Sequence, residues 1–169
     1  MFEQDGTPFH SYMMPIGKDV VSHTLSLPAH GCTSVWTANS STYTRSGWAR
    51  VTADGPVGGS VIYDYYRGGK RNSQAGINPS SEVSEFLLAM DLRDDMMSGL
   101  AVANPAGAGS VTLSMTLLDR EGRRIGSTVT RDLLSLHQFA LLPDQLFPGV
   151  NLEDFTGSLV AKAVGGKVI

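Results

Sequence analysis

The sequence has few charges, and their scarcity excludes some classes of partner. Of its 169 residues 17% are charged, and the formal net charge is −3. An average soluble domain carries about 25% charged residues. A slightly acidic chain offers no electrostatic attraction for nucleic acid or for an anionic membrane surface. We therefore expect no nucleic-acid partner.

Cysteine, long apolar runs and a leader segment are also missing. Cys32 is the single cysteine, so no disulfide forms within the chain, and we expect it to be a partly buried structural residue. No apolar run approaches the ~20 residues that span a bilayer, which predicts no membrane insertion. Residues 1–8 lack the basic and apolar regions of a signal peptide. An exported form would be a mature segment or a piece of a longer protein.

Motifs for catalysis and for cofactors are missing as well. The sequence contains neither a His-Glu-x-x-His pair nor a Gly-x-Ser-x-Gly elbow. The four histidines are scattered: His10, His23, His30 and His137. Gly58-Gly59 and Gly165-Gly166 open no helix, so neither pair forms a phosphate loop. The sequence predicts a protein that is not an enzyme and has no cofactor.

What the sequence does have is β-strand alternation, clearest at residues 111–117. Val111, Leu113, Met115 and Leu117 share one parity, while threonine and serine occupy the other. A period of two predicts a strand with one buried face. A shorter alternating stretch precedes it and ends at Asn104-Pro105. We expect residues 98–122 to form a β-hairpin at the centre of a sandwich.

Short strand patterns separated by turn residues fill the remaining sequence. Strands are predicted at residues 20–27, 47–52, 58–66, 86–90, 125–133, 137–142 and 155–164, with irregular structure at 74–79. Proline on either side of residues 144–147 predicts at most a short helical turn near 143–147. The fold class is all-β: an antiparallel β-sandwich, immunoglobulin-like or jelly-roll-like. A closed barrel is the alternative.

An internal similarity bears on the domain organisation. Gly-Trp-Ala-Arg-Val and Val-Gly-Gly-Ser-Val-Ile at 47–62 correspond to Gly-Ser-Leu-Val-Ala and Val-Gly-Gly-Lys-Val-Ile at 157–169. Asp5-Gly6 and Glu121-Gly122 lie upstream of the two copies. The sequence predicts one β-sandwich domain over 1–169, made of two related β units at approximately 1–90 and 98–169. The alternative is a fragment or subunit with incomplete edge strands.

Aromatic side chains give the candidate ligand-binding residues. Trp48, Tyr63 and Tyr65 lie in predicted strands, and Tyr63 and Tyr65 share one face. Exposed aromatic rings on a flat sheet can stack on sugar rings. The alternative is that these aromatic side chains fill the sandwich core.

Three aspartates at residues 91–95 are weak candidates for calcium ligands. Asp91, Asp94 and Asp95 crowd carboxylate oxygens into one predicted loop, and calcium prefers several oxygen ligands. Arg93 lies among them and competes for the same carboxylates. The stretch lacks the glycine and glutamate of an EF-hand, so a solvated acidic loop is the alternative and no metal site is predicted.

Short motifs follow one another along the chain in a fixed order. They lie at residues 47–51, 56–63, 74–77, 98–105, 111–113, 118–122, 145–149 and 155–159 and include Gly-Trp-Ala-Arg-Val, Gly-Leu-Ala-Val-Ala-Asn-Pro, Leu-Phe-Pro-Gly and Phe-Thr-Gly-Ser-Leu. Together these segments resemble an uncharacterised β-sandwich module of secreted or surface-exposed bacterial proteins. The resemblance covers nearly the whole chain and transfers no catalytic or binding residue. It implies an extracellular or cell-surface location and a non-catalytic role.

Three functional hypotheses follow. The first is a structural or interaction module that assembles through edge strands into an oligomer or filament, with a protein partner or a second copy bound by strand addition. The second is a carbohydrate-binding module that uses the surface aromatic residues. The third is a hydrolase whose carboxylate site is built from loops.

Overall fold

The computed structural model describes residues 1–38, 46–67, 70–94 and 96–169, without the side chains of residues 65 and 67. The predictions of Tyr65 as a ligand-binding residue and of Asp95 as a calcium ligand therefore lie outside the described side chains. Strands make up 47% of the structure and helix 3%, which confirms the all-β prediction.

The elements are numbered in chain order. The first half of the chain contains β1 (Phe2–Glu3), β2 (Ser11–Met14), β3 (Lys18–Val20), β4 (Trp36–Thr37), β5 (Gly47–Trp48), β6 (Val61–Arg67) and β7 (Lys70–Ile77). The second half contains β8 (Glu85–Asp91), β9 (Leu100–Ala103), β10 (Ser110–Asp119), β11 (Arg124–Leu134), β12 (Gln138–Leu141), α1 (Pro143–Leu146) and β13 (Thr156–Val164).

A four-stranded antiparallel sheet in the second half of the chain carries one wall of the core. Its strand order is β11-β10-β13-β8. The apolar parity of β10 faces inward, and the alternating threonines and serines lie on the outer face, as the sequence predicts. β11 and β8 are the two edges, so this sheet stays open rather than taking the closed alternative.

The second wall is smaller. It consists of the β12-β9 pair together with α1 and the residues that follow it. Side chains from both walls form one buried cluster, which includes Val102, Leu113, Met115, Leu146, Phe147 and Leu159. The two walls make a sandwich, as expected, and the helical turn at α1 lies where Pro143 predicts it.

The predicted hairpin at residues 98–122 is wrong. β9 pairs with β12, and β10 pairs with β11 and β13, so the chain crosses from one wall to the other between β9 and β10. Asn104 secures this crossing, because its fully buried side chain donates from Nδ2 to the Leu133 carbonyl (3.1 Å) and accepts from the Ala106 N–H (3.0 Å). Local alternation identified both strands correctly but did not identify their partners.

Other local predictions for the first half are also wrong. Residues 21–35 form no strand, although 20–27 alternate in sequence, and only residues 47–48 of the predicted strand at 47–52 are in a strand. Residues 74–77 belong to β7 rather than to irregular structure. Cys32 is exposed, not partly buried. A strand pattern becomes a strand only where a second strand or layer is present. Residues 74–77 form a strand because β6 pairs with them, whereas no described strand pairs with residues 21–35.

Two turns in distant parts of the chain have the same geometry. In the first, the Glu3 N–H donates to the Thr7 carbonyl (2.8 Å) and the Gly6 N–H to the Glu3 carbonyl (3.1 Å). In the second, the Asp119 N–H donates to the Arg123 carbonyl (2.9 Å) and the Gly122 N–H to the Asp119 carbonyl (3.0 Å). Gly6 and Gly122 both have φ of +79°, a conformation that favours glycine.

The strands that pair beside these turns also match. Phe2 and Glu3 pair with Trp48 and Gly47, as Leu118 and Asp119 pair with Ser158 and Gly157. A side chain added at Gly47 would collide with the Phe2 carbonyl, and one added at Gly157 would collide with the Leu118 carbonyl. The two places therefore share a local backbone arrangement, and the division into two related β units stays a prediction.

Candidate functional site

The two edges of the four-stranded sheet differ in how well they are protected. β11 is interrupted opposite β10 by a register shift between Met115 and Leu117, and Gly126 takes a positive φ of +68° there. Arg124, Arg131 and Asp132 add charges along the same strand. Bulges and charges discourage the pairing of another strand with a sheet edge. β11 is therefore a guarded edge.

β8 is the open edge. Its sequence, Glu-Phe-Leu-Leu-Ala-Met-Asp, contains no lysine or proline, and its register with β13 runs without a shift from Glu85 to Asp91. The Leu92 N–H donates to Phe155, and the Ser84 carbonyl accepts from Ala163. Because backbone groups alternate in direction along a strand, those two bonds place the even-numbered residues toward β13.

The odd-numbered residues of β8 consequently direct their backbone groups away from the sheet. These residues are Glu85, Leu87 and Ala89, and β8 has no described neighbour other than β13 among the strands. At the end of the strand, the Asp91 N–H and carbonyl face the same way and are both bonded to Ser98 Oγ (3.2 and 3.1 Å). The open edge is thus three residues long and closed by Ser98.

The side chains at the open edge are apolar in the middle and acidic at both ends. Leu87 is 67% exposed on the outer face, where it lies opposite Val160 of β13. Phe86 and Leu88 point to the core side and remain only partly buried. Glu85 makes a 3.2 Å ion pair with Lys162. The sequence indicated a strand here but not that it is an edge, because an uncharged run such as 86–90 is also typical of a strand buried on both faces.

Of the two calcium candidates whose side chains the structure describes, Asp91 is bound by an arginine. Arg93 donates from Nε and Nη2 to the two carboxylate oxygens of Asp91 (2.9 and 2.7 Å), and these bonds lower the pKa of Asp91 to about 2. Asp94 is exposed and has a positive φ of +53°. Within the described ranges, no three His, Cys, Asp or Glu side chains gather closely enough to hold a metal ion.

Trp48 is held by neighbours rather than presented to solvent. Its ring stacks on Phe2 with centroids 4.7 Å apart, and the Arg50 guanidinium lies 5.5 Å from its centroid. The indole N–H donates to the Leu136 carbonyl (2.8 Å). Because that donor is already bonded, Trp48 joins β5 to the turn between β11 and β12 and offers a ligand only part of its ring.

Tyr63 lies in a different sheet from Trp48, on the hairpin formed by β6 and β7, and is 54% exposed. Every described side chain of this hairpin is exposed, so the alternative that these aromatics fill the core does not hold for Tyr63. The structure does not bring the tryptophan and the tyrosine together.

A shallow cleft of about 580 Å³ lies at the end of the four-stranded sheet, next to the Asp119–Arg123 turn. It contains three arginines and three carboxylates, but Arg123 pairs with both Asp119 (2.8 Å) and Glu121 (2.9 Å). The Arg123 backbone N–H and then its guanidinium lower the pKa of Asp119. A carboxylate with a lowered pKa, as at Asp119, is poorly suited to donate a proton as a general acid.

None of the described helices has the length and apolar character needed to cross a bilayer. Comparison with protein-family models, with curated proteins and with solved structures finds no match for this chain.

Proposed function

We propose that this protein is a non-catalytic structural or interaction module that self-associates through the open edge of β8. The observation that supports the proposal is the set of outward backbone groups at Glu85, Leu87 and Ala89, beside an exposed Leu87. An edge strand with unpaired N–H and C=O groups is a template for another strand. The resemblance to secreted modules favours an extracellular or cell-surface location.

The expected strength of the contact follows from its size. A backbone hydrogen bond contributes about 0.5–1.5 kcal/mol net, and full burial of a leucine contributes about 1.5–3 kcal/mol. Association itself costs about 4–15 kcal/mol. Three paired residues and one leucine therefore give a weak contact, so assembly should depend strongly on protein concentration.

The test compares two lysine substitutions at equally exposed positions. Leu87 on β8 and Val164 on β13 are both 67% exposed, but β13 is an interior strand. Light scattering over a concentration series should show oligomers for the unmodified chain and for Val164→Lys, and monomers for Leu87→Lys. A lysine on an edge strand opposes pairing.

Two results would contradict the proposal. One is an unmodified chain that stays monomeric at the highest concentration reached. The other is equal loss of assembly in Leu87→Lys and Val164→Lys, which would assign the contact to the outer face of the sheet rather than to its edge.

A second candidate function, carbohydrate binding, is favoured by the exposure of Tyr63. Tyr63→Ala should abolish binding on a glycan array, whereas Tyr12→Ala, which alters another exposed tyrosine on β2, should leave it unchanged. An array on which the unmodified chain binds no glycan removes this candidate.

A further inference from the structure

The β6–β7 hairpin has an apolar face that nothing in the described chain covers. Its register places Val61 opposite Ile77 and Tyr63 opposite Ala75 on one face. The other face carries Asp64, which accepts from Gln74 Nε2 (2.8 Å) and lies 3.5 Å from Arg71. A two-stranded hairpin alone is marginally stable in water, so an apolar face of this kind calls for a second layer or a third strand.

The internal similarity indicates what kind of neighbour could cover Val61 and Ile62 of the hairpin. Val61-Ile62 corresponds to Val168-Ile169 in the second copy of the motif. There the Val83 and Val168 backbones exchange two hydrogen bonds, as do Ala103 and Ile169, and Val168 is fully buried. Val61 is 48% exposed. In the second copy the two residues pair with two different segments, at Val83 and Ala103, whereas Val61 and Ile62 pair with β7 and stay exposed.

Building on the proposed self-association at β8, we propose that the added strand is β7 of a second copy, paired antiparallel with Ala75 opposite Leu88 and Ile77 opposite Phe86. This register puts the apolar face of the hairpin on the core side of the sheet. Phe86 and Leu88, which are only partly buried at the edge, would then be covered. β7 and β8 have similar lengths, eight and seven residues.

Charge supports the same pairing. The charges of β7 are both positive, at Lys70 and Arg71, and β8 begins and ends with the acidic Glu85 and Asp91. The bulge between Tyr65 and Tyr66 turns Arg71 to the face of the hairpin that carries Asp64 and the exposed Ile62. In the antiparallel register that face continues the outer face of the sheet, and Arg71 would lie near Asp91, whose carboxylate Arg93 also binds.

A second copy fits better than the same chain. Residues 78–84 separate β7 from β8, and Val83 and Ser84 are already bonded to Val168 and Ala163. In the structure of one chain the hairpin and β8 do not pair. Each chain therefore presents both a strand donor and an open acceptor edge. A contact between two different surfaces is heterologous and builds rings or filaments.

Cysteine pairs between two chains test the register. In a Cys32→Ser background, Gln74→Cys in one tagged chain is mixed with Ala89→Cys in another, because these exposed positions would lie side by side. Disulfides require Cα atoms within about 7 Å, so the linked heterodimer should form at least about tenfold more than in a Gln74→Cys and Thr130→Cys control. Thr130 lies on the guarded edge β11.

The outcomes separate this inference from the proposed function. Linked Gln74→Cys and Ala89→Cys chains support it. Oligomers without that link leave self-association at β8 standing and overturn the assignment of β7. A double variant that closes its disulfide only within monomers overturns it too, because the chain's own hairpin then occupies the edge. Monomers at all concentrations overturn both proposals.

Discussion

The two halves of the chain have similar strand patterns but differ in burial. All the described side chains that are fully buried lie between Met90 and Val168, whereas the described part of residues 1–84 contains three small sheets and no buried side chain. Both halves contain the same turn geometry, and in both a glycine packs closely against a backbone carbonyl. The difference shows that an alternating sequence pattern is enough to form strands, whereas a buried core also requires a second layer for those strands to pack against.

The attachment between the halves is polar and local. The Gln138 N–H donates to the Gln4 carbonyl (2.9 Å), and Arg50 donates to the Pro105 carbonyl. Together with the Trp48 bond to Leu136, these contacts fix residues 1–9 and 46–50 against the second half. The β6–β7 hairpin lies outside this attachment, which is why its partner is expected elsewhere.

The largest expected effect tests whether stability resides in the second half. Leu113→Ala removes a fully buried leucine and should lower the free energy of unfolding by about 2–5 kcal/mol. Leu27→Ala, at a leucine 43% exposed in the first half, should change it by less than about 0.5 kcal/mol. Urea unfolding monitored by circular dichroism measures both. Equal losses would mean that the first half shares the core after all.

The next effect compares the two equivalent glycines. Gly157→Ala forces a methyl group against the Leu118 carbonyl and the Phe155 ring, and should cost about 1–3 kcal/mol of unfolding free energy. Gly47→Ala creates the same collision at Phe2 but should act locally. We expect a clear change in the fluorescence of Trp48 and only a small change in the unfolding midpoint. Gly58→Ala, which meets nothing within 4 Å, is the control. If Gly47→Ala lowers the midpoint as much as Gly157→Ala, the halves unfold as one unit.

The smallest effect concerns pH. The pKa of Asp91 is about 2 in the folded chain and about 3.9 when unfolded, so its stabilising contribution is complete above pH 3.9 and is lost as pH falls through 2. Arg93→Ala should raise the pKa of Asp91 toward 3.9 in an NMR titration. Asp5 of the first half, whose pKa is lowered by its bond to Thr7, should titrate as before. An unchanged pKa of Asp91 would mean that Arg93 is not the cause.

Sequence reasoning succeeded where structure is local. The alternation at 111–117 identified β10 and its buried face, and Pro143 identified α1. It failed where the structure depends on which strands pair, because the alternation of β9 is the same whether it pairs with β10 or with β12. The competition of Arg93 for Asp91 could be read from their spacing, whereas the exposure of Leu87 depends on β8 being the last strand of its sheet.

The position of β13 in the sheet has a consequence for biosynthesis. β13 lies between β10 and β8, yet it follows both of them along the chain by more than 35 residues. During translation, β8 has no described sheet neighbour until the last of these strands leaves the ribosome. The apolar run at 86–90 is then unprotected, so the interval before β13 emerges is when a nascent chain is most prone to mispairing or to capture by a chaperone.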